Sequence, residues 1–237
     1  VTGAANFADI EEYFNVAAPL PLFVILFIGF GMKAGLFPMH IWLPEAHPAA
    51  PSHISAIMSG VMIKTGVYGI LRVVSHMSAP EQIHVVGVII LAIGVVTGLW
   101  GVILAAMQND VKRLLAYSSI ENIGVIFIGL GIATLANASG NTAIMTLALC
   151  GALMHTINHS LFKSLLFFGA GNIYSQMHTT HLDRFGGVAK HMPVTAILFL
   201  LATMAICALP PLNGFVGEFL IYIGMLGSVR DGINTLY

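Results

Sequence analysis

His155, His159 and Lys163 stand four residues apart in a stretch, 142–173, that is otherwise almost wholly apolar. On a helix this spacing stacks all three on one face, and Asn158 sits beside them. Imidazoles exchange protons near neutral pH, and an ammonium taken out of water gives up its proton more readily than one in solution. Two histidines and a lysine on one face therefore suit a proton relay. Two histidines four apart can also hold a metal, but no third ligand of the right type lies near and the His-Glu-x-x-His pattern is missing, so no metal is expected. Lys64, Tyr68 and Arg72 repeat the four-residue spacing in a second apolar stretch. Lys33 and Glu218 are single charges in two more. A static ion pair, or a side chain reaching for the membrane interface, is the plainer account of any one of these charges. Lys64 and Lys163 have about ten apolar residues on each side, too many for an easy reach.

The elements that must carry these residues follow from composition. Of 237 residues, 57% are hydrophobic and 8% charged, with a net charge of -1. A soluble domain carries about 25% charged residues, so lipid is the natural solvent for this chain. Near-neutral charge gives no basic field for nucleic acid, and none is expected as a partner. Six stretches reach the length of about 20 residues that a span needs: 19–41, 54–74, 83–107, 111–135, 142–173 and 194–226. Helices are expected, because lipid offers no partner to an open sheet edge, and the alternating segments of a β-barrel are absent. The reading is an all-α, polytopic membrane bundle of about six spans, a single domain over 1–237. A charge at the bilayer centre costs about 2.5–3.5 kcal/mol, so four of them point to an ion path.

Short polar connections separate the spans. Pro38, Pro44, Pro48 and Pro51 punctuate the first, Ser78-Ala-Pro80 the second, Gln108-Asn-Asp110 the third and residues 137–141 the fourth. The longest, 174–193, has room for a short surface helix. Two spans carry helix breakers beside their charge: Pro38 shortly after Lys33, and Pro210, Pro211 and Gly214 shortly before Glu218. Broken membrane helices are tolerated where the freed backbone lines a cavity or a buried site. Asp110, Lys112 and Arg113 open the fourth span. They read as a capped, anchored helix end, or as a coupling or gating group together with Tyr68. Lys112, Arg113, Arg184 and Lys190 on one side outnumber Arg72 and Arg230 on the other, which places the first side in the cytoplasm. The acidic run Asp9-Ile-Glu-Glu12 is expected outside the membrane. Cys150 and Cys207 lie far apart in apolar runs and read as small buried residues. A first residue other than Met suggests a piece of a longer protein.

Longer motifs carry a resemblance. Lys33-Ala-Gly-Leu-Phe-Pro-Met-His-Ile-Trp-Leu-Pro-Glu-Ala-His-Pro-Ala-Ala-Pro-Ser-His53 is followed by Met58-Ser-Gly-Val-Met-Ile-Lys-Thr-Gly66 and Asp110-Val-Lys-Arg-Leu-Leu-Ala-Tyr-Ser-Ser119. His155-Thr-Ile-Asn-His-Ser-Leu-Phe-Lys163 and Leu209-Pro-Pro-Leu-Asn-Gly-Phe-Val-Gly-Glu218 complete the set. In this order they resemble the antiporter-like, proton-translocating membrane subunits of complex I and its relatives. The Glu45-Ala-His-Pro-Ala-Ala-Pro-Ser-His53 wording is most similar to the large membrane subunit of formate hydrogenlyase and hydrogenase-4 complexes. The resemblance implies part of a larger inverted-repeat fold, family helices seven to twelve, with the seventh and twelfth discontinuous. Lys33 would be the lysine of the broken seventh helix and Lys64 the eighth-helix lysine. His155, His159 and Lys163 would be the eleventh-helix relay, and Glu218 the charged residue of the broken twelfth. The fifth-helix glutamate that the family pairs with Lys33 is absent from this sequence.

The resemblance implies proton translocation along these residues in the bacterial or archaeal cytoplasmic membrane. It also implies neighbouring membrane subunits and, through them, a peripheral redox arm. Electron transfer would belong to those partners, since no iron–sulfur or flavin motif occurs here and no cofactor or catalytic centre is expected in this chain. Two other readings within the family are a multi-subunit sodium/proton antiporter and the M-type subunit of NADH:quinone oxidoreductase. A structural membrane scaffold with static ion pairs is the reading from a different class.

Overall fold

The computed structural model describes residues 19–232, so the acidic run 9–12 lies outside the described residues. Their regular structure is helical, and the only β feature is an isolated bridge between Asp110 and His181. The helices are α1 (Pro19–Ala34), α2 (Trp42–Ala49), α3 (Ser52–Ile57), α4 (Ile63–Ser75), α5 (Pro80–Ala106), α6 (Val111–Ala138), α7 (Thr142–Met177), α8 (Val188–His191), α9 (Pro193–Ile206) and α10 (Asn213–Arg230). A π-helical segment, Met58–Met62, joins α3 to α4 without a break. Four helical stretches are long and apolar enough to cross a membrane: Ser52–Ser75, Pro80–Ala106, Val111–Ala138 and Thr142–Met177. Leu20–Ala34 and Pro193–Ile206 are shorter apolar helices.

The ends of the elements follow local chemistry. Pro80 opens α5, where its missing N–H costs nothing. The Asp110 carboxylate accepts from Arg113 N at 3.0 Å, and Asn141 Oδ1 accepts from Ile144 N at 3.1 Å, so each caps the helix that follows it. The connection after α7 holds a 3-10 turn, Leu182–Arg184, and the short α8, in keeping with the surface helix expected there. The first expected span proves to be two pieces. α1 stops directly after Lys33 and residues 35–41 form turns around Pro38. Pro44 and Pro48 do not punctuate the connection as expected but lie inside α2. Pro44 occupies the first turn, where no intrahelical N–H bond is lost, and Pro48 sits at the other end. The sixth expected span is likewise divided. α9 stops at Ile206, Pro210 and Pro211 lie in the turn, and α10 starts at Asn213. Gly214 is enforced by contact, since a Cβ there would stand 1.8 Å from the Ala205 carbonyl oxygen.

α6 is the central post, with α5, α7 and α2 packed around it. Apolar burial alone does not drive helices together in lipid, because lipid is as apolar as leucine; close backbone approach does. The α5–α6 seam uses it. Gly94 and Gly98, spaced four apart on α5, face Gly124 of α6, whose Cβ would lie 2.3 Å from the Gly98 nitrogen. Larger residues fill the rest of the core in two clusters, one with Phe23, Phe27, Ile63, Ile90 and Phe127 and a second with Leu115, Phe162 and Phe167. Ile25, Leu99, Ile197 and Leu226 point outward, as residues facing lipid or further protein do. Cys150 and Cys207, expected to be buried, are both exposed. An apolar run facing lipid looks the same in sequence as one facing a core.

Candidate functional site

Lys163 is fully enclosed. It projects from α7 toward α6, where its Nζ donates to the Leu115 carbonyl at 2.7 Å and to the Ser118 hydroxyl. A buried ammonium or amine needs such acceptors, because an unpaired polar group in a dry interior costs several kcal/mol (about 2–7). His155 and His159 share the enclosed face of α7, as their spacing requires. His155 Nε2 lies 3.0 Å from Asn122 Oδ1, and Asn122 Nδ2 donates to the Ser118 carbonyl at 2.8 Å. Ser118 thus joins the lysine and the histidine through its hydroxyl and its carbonyl. Among the described residues His159 has no hydrogen-bond partner at either ring nitrogen; its ring packs edge-on to Phe162 at 5.5 Å.

Lys64, half-buried on α4, donates its Nζ to the Ser59 carbonyl in the π segment. On its outer side a shallow groove of about 390 Å³ opens, lined also by Thr65, Tyr68, Thr156 and Ser160. Lys64 and Lys163 are near enough to repel each other. Glu121, half-buried on α6, attracts Lys163 and repels Glu218. Glu218 lies in the second turn of α10, with the Tyr222 hydroxyl 3.4 Å from its Oε2. α10 is held to α7 at its first residue. Asn158 Nδ2 donates to the Asn213 carbonyl at 2.7 Å, and Asn213 Nδ2 donates to Asn158 Oδ1 at 3.2 Å. The break around Pro210 and Pro211 is therefore docked beside the His155–Lys163 face.

Lys64, His155, His159, Lys163 and Glu218 are thus assembled in one part of the bundle. Lys33 is not: it lies exposed at the end of α1. Tyr68 is 62% exposed and faces the groove, outside the hydrogen-bonded network. Asp110, Lys112 and Arg113 make structural contacts. Besides capping α6, Asp110 accepts from the Thr180 hydroxyl. Two backbone bonds, Val111 N to the Thr180 carbonyl and Leu182 N to the Asn109 carbonyl, lace the same two segments together. Lys112 Nζ donates to the Ala50 carbonyl at 2.9 Å, and Arg113 pairs with Glu45 at 2.6 Å, so the start of α6 is tied to both ends of α2. Among the described residues no group of three His, Cys, Asp or Glu side chains could hold a metal ion.

Sequence reasoning passed over Glu121, Ser59, Ser118, Ser119, Asn122 and His47. Glu121 meets the criterion that found the lysines, a charge ten residues inside an apolar span. His47 is fully buried and stacks on Phe167 with ring centroids 4.6 Å apart.

These features define an antiporter-like membrane subunit: an all-helical bundle with a cluster of enclosed and half-buried titratable groups beside interrupted helices. The chain belongs to the NADH:quinone oxidoreductase/Mrp antiporter transmembrane family, which it matches over residues 1–230. It is 47% identical over 210 residues to hydrogenase-4 component B of Escherichia coli, covering 88% of this chain and 31% of that protein. It is 42% identical over 195 residues to formate hydrogenlyase subunit 3 of the same organism, covering 82% of this chain and 32% of the relative. The chain therefore spans about a third of the length of these curated relatives. An Mrp complex from Dietzia sp. contains a chain of the same fold, with a TM-score of 0.85 at 22% identity, over 98% of this chain and 41% of that one.

Proposed function

We propose that this chain forms a proton-conducting part of a membrane subunit in a complex I-like assembly of the hydrogenase-4 or formate hydrogenlyase kind. α1 with α2, and α9 with α10, act as two discontinuous spans, which with the four long helices make six. The ends of α2 and α7 and the start of α6 face the cytoplasm of a bacterial or archaeal cell. Protons move between Lys64, the His155–His159–Lys163 face, Glu121 and Glu218. Lys33 joins the line from outside this part of the bundle, through an acidic partner beyond this sequence. Electron transfer lies in a peripheral redox arm reached through neighbouring membrane subunits.

The carrying observation is Lys163, fully enclosed yet in the field of both Lys64 and Glu121. Two unit charges about 8 Å apart interact by about 2 kcal/mol at an effective dielectric near 20. That shifts a protonation equilibrium more than tenfold, so a charge arriving at one station loads or unloads the next. The 47% identity to hydrogenase-4 component B supports the choice of complex.

The test is redox-driven proton uptake by the complete complex in proteoliposomes, with Lys163→Ala in the full-length subunit. Uptake is expected to fall at least tenfold while the complex still assembles. Unchanged uptake would sink the relay. Lower assembly yield with intact uptake per complex would favour a scaffold, and sodium-dependent transport without a redox donor would favour an antiporter.

A further inference from the structure

The π segment Met58–Met62 directly precedes Lys64 and packs against α7, the helix of Lys163, and its geometry has a specific effect. In an α-helix Ile63 N–H would bond the Ser59 carbonyl. Here it reaches back to the Met58 carbonyl, one residue further. The Ser59 carbonyl is relieved of that donor, and Lys64 Nζ donates to it. The Ser59 hydroxyl turns the other way, to α6, where its Oγ lies 2.9 Å from Ser119 Oγ. Ser119 in turn donates to the Leu115 carbonyl at 2.9 Å, the same oxygen that accepts from Lys163 at 2.7 Å. The acceptors of Lys64 and Lys163 are therefore joined by one contact, hydroxyl to hydroxyl. Both serines are fully buried. Gly60 closes the arrangement from the other side. A Cβ there would stand 2.4 Å from Ser164 Oγ, so the segment is pressed against α7 as well as bonded to α6.

A single residue of π winding changes which carbonyls are free, and such bulges recur at functional sites. Ser119 spends its proton on the Leu115 carbonyl of its own helix, which leaves Ser59 to donate to Ser119, so the buried Ser59 hydroxyl depends on that contact across the helices. We propose that Ser59 and Ser119 are positioning residues that fix the separation of Lys64 and Lys163, and so set how strongly the charge on one lysine acts on the other. This rests on the proton-relay reading. Neither serine carries the proton. The pair holds the π segment in register with α6, so that Lys64 stays folded against its own backbone and within reach of Lys163's field.

The experiment uses the complete complex in proteoliposomes, with electron transfer and proton uptake measured on the same preparation. Ser59→Ala and Ser119→Ala should each lower proton uptake per electron about two- to tenfold, the range of one net hydrogen bond, at unchanged assembly yield. The double substitution should be no worse than the poorer single one, because both remove the same contact. Ser119→Thr, which keeps a hydroxyl, should restore uptake to within twofold. Lys163→Ala is measured alongside. If it abolishes uptake while both serine variants pump normally, the positioning role is overturned and the relay stands. If Lys163→Ala pumps normally, the relay itself has failed. Multiplying losses in the double variant would overturn the shared contact.

Discussion

Lys163 Nζ and Ser119 Oγ converge on one oxygen, the Leu115 carbonyl, at 2.7 and 2.9 Å. Donors from two different helices, with Ser118 Oγ a third at 3.2 Å, thus share an acceptor at the first turn and a half of α6. A change in the ammonium's protonation is felt by the hydroxyl without any helix moving. The candidate site is as much a property of α6, which supplies Leu115, Ser118, Ser119, Glu121 and Asn122, as of the histidine-bearing α7.

Glu121 is the first residue to test on that account. It is the opposite charge that acts on Lys163. Glu121→Gln keeps the shape and removes the charge. Proton uptake by the reconstituted complex should fall about tenfold, as expected for losing a partner worth about 1.4 kcal/mol or more. Assembly yield should be unchanged. Normal uptake would exclude Glu121 from the line.

Asn122 holds His155 through its side-chain oxygen at 3.0 Å. Asn122→Leu leaves Nε2 without that partner and should destabilise the complex by about 1–3 kcal/mol, read as a lower thermal unfolding midpoint. Asn122→Asp keeps the acceptor but loses the donor to the Ser118 carbonyl and buries a charge, so it should not recover the loss. Equal stability of the leucine variant and the wild type would show that the contact contributes nothing.

Asp110 is a cap in this structure. Asp110→Ala should cost about 1–2 kcal/mol of stability and leave proton uptake per assembled complex intact. Asp110→Asn, which can still accept from Arg113 N, should resemble the wild type in both. A specific loss of uptake in the asparagine variant would favour the coupling role. The neighbouring Arg113–Glu45 pair is exposed, 43% and 68% at its side chains, so Arg113→Ala should cost under about 1 kcal/mol.

Gly124 admits no side chain while α5 stays where it is. Gly124→Leu should abolish assembly of the complex, assayed by native gel or size-exclusion yield. Gly124→Ala should lower it, since overpacking costs about 1–3 kcal/mol. Wild-type yield of the leucine variant would contradict the backbone contact.

Much of this architecture was legible in the sequence. Apolar length gave the four long helices, and the prolines after Lys33 and before Glu218 marked both interruptions. Pro44 and Pro48 misled, because a proline is permitted near a helix end and its residue type does not say which side of the end it occupies. The four-residue spacing placed His155, His159 and Lys163 on one face correctly. Lys33 carries the same signal as Lys163, a charge in an apolar run, and yet lies exposed. Which face of a helix is covered is decided by neighbours and not by the helix. Glu121 was visible by the same rule and was passed over. Ser59, Ser118 and Ser119 were not visible, because a serine in a membrane helix satisfies itself on its own backbone at little cost. Only the contact across helices distinguishes these three from Ser160, which bonds back to Thr156.

The α5–α6 seam has a mechanical consequence. Side chains that meet across an ordinary interface have rotamers, and rotamers absorb small displacements as a cushion does. Between Gly98 and Gly124 backbone touches backbone, and nothing there can yield. The two helices behave as one stiff beam. Glu121 rides on that beam, its backbone nitrogen 2.5 Å from where a Cβ on Gly101 would fall. Glu121 is therefore anchored to α5 as firmly as to its own helix.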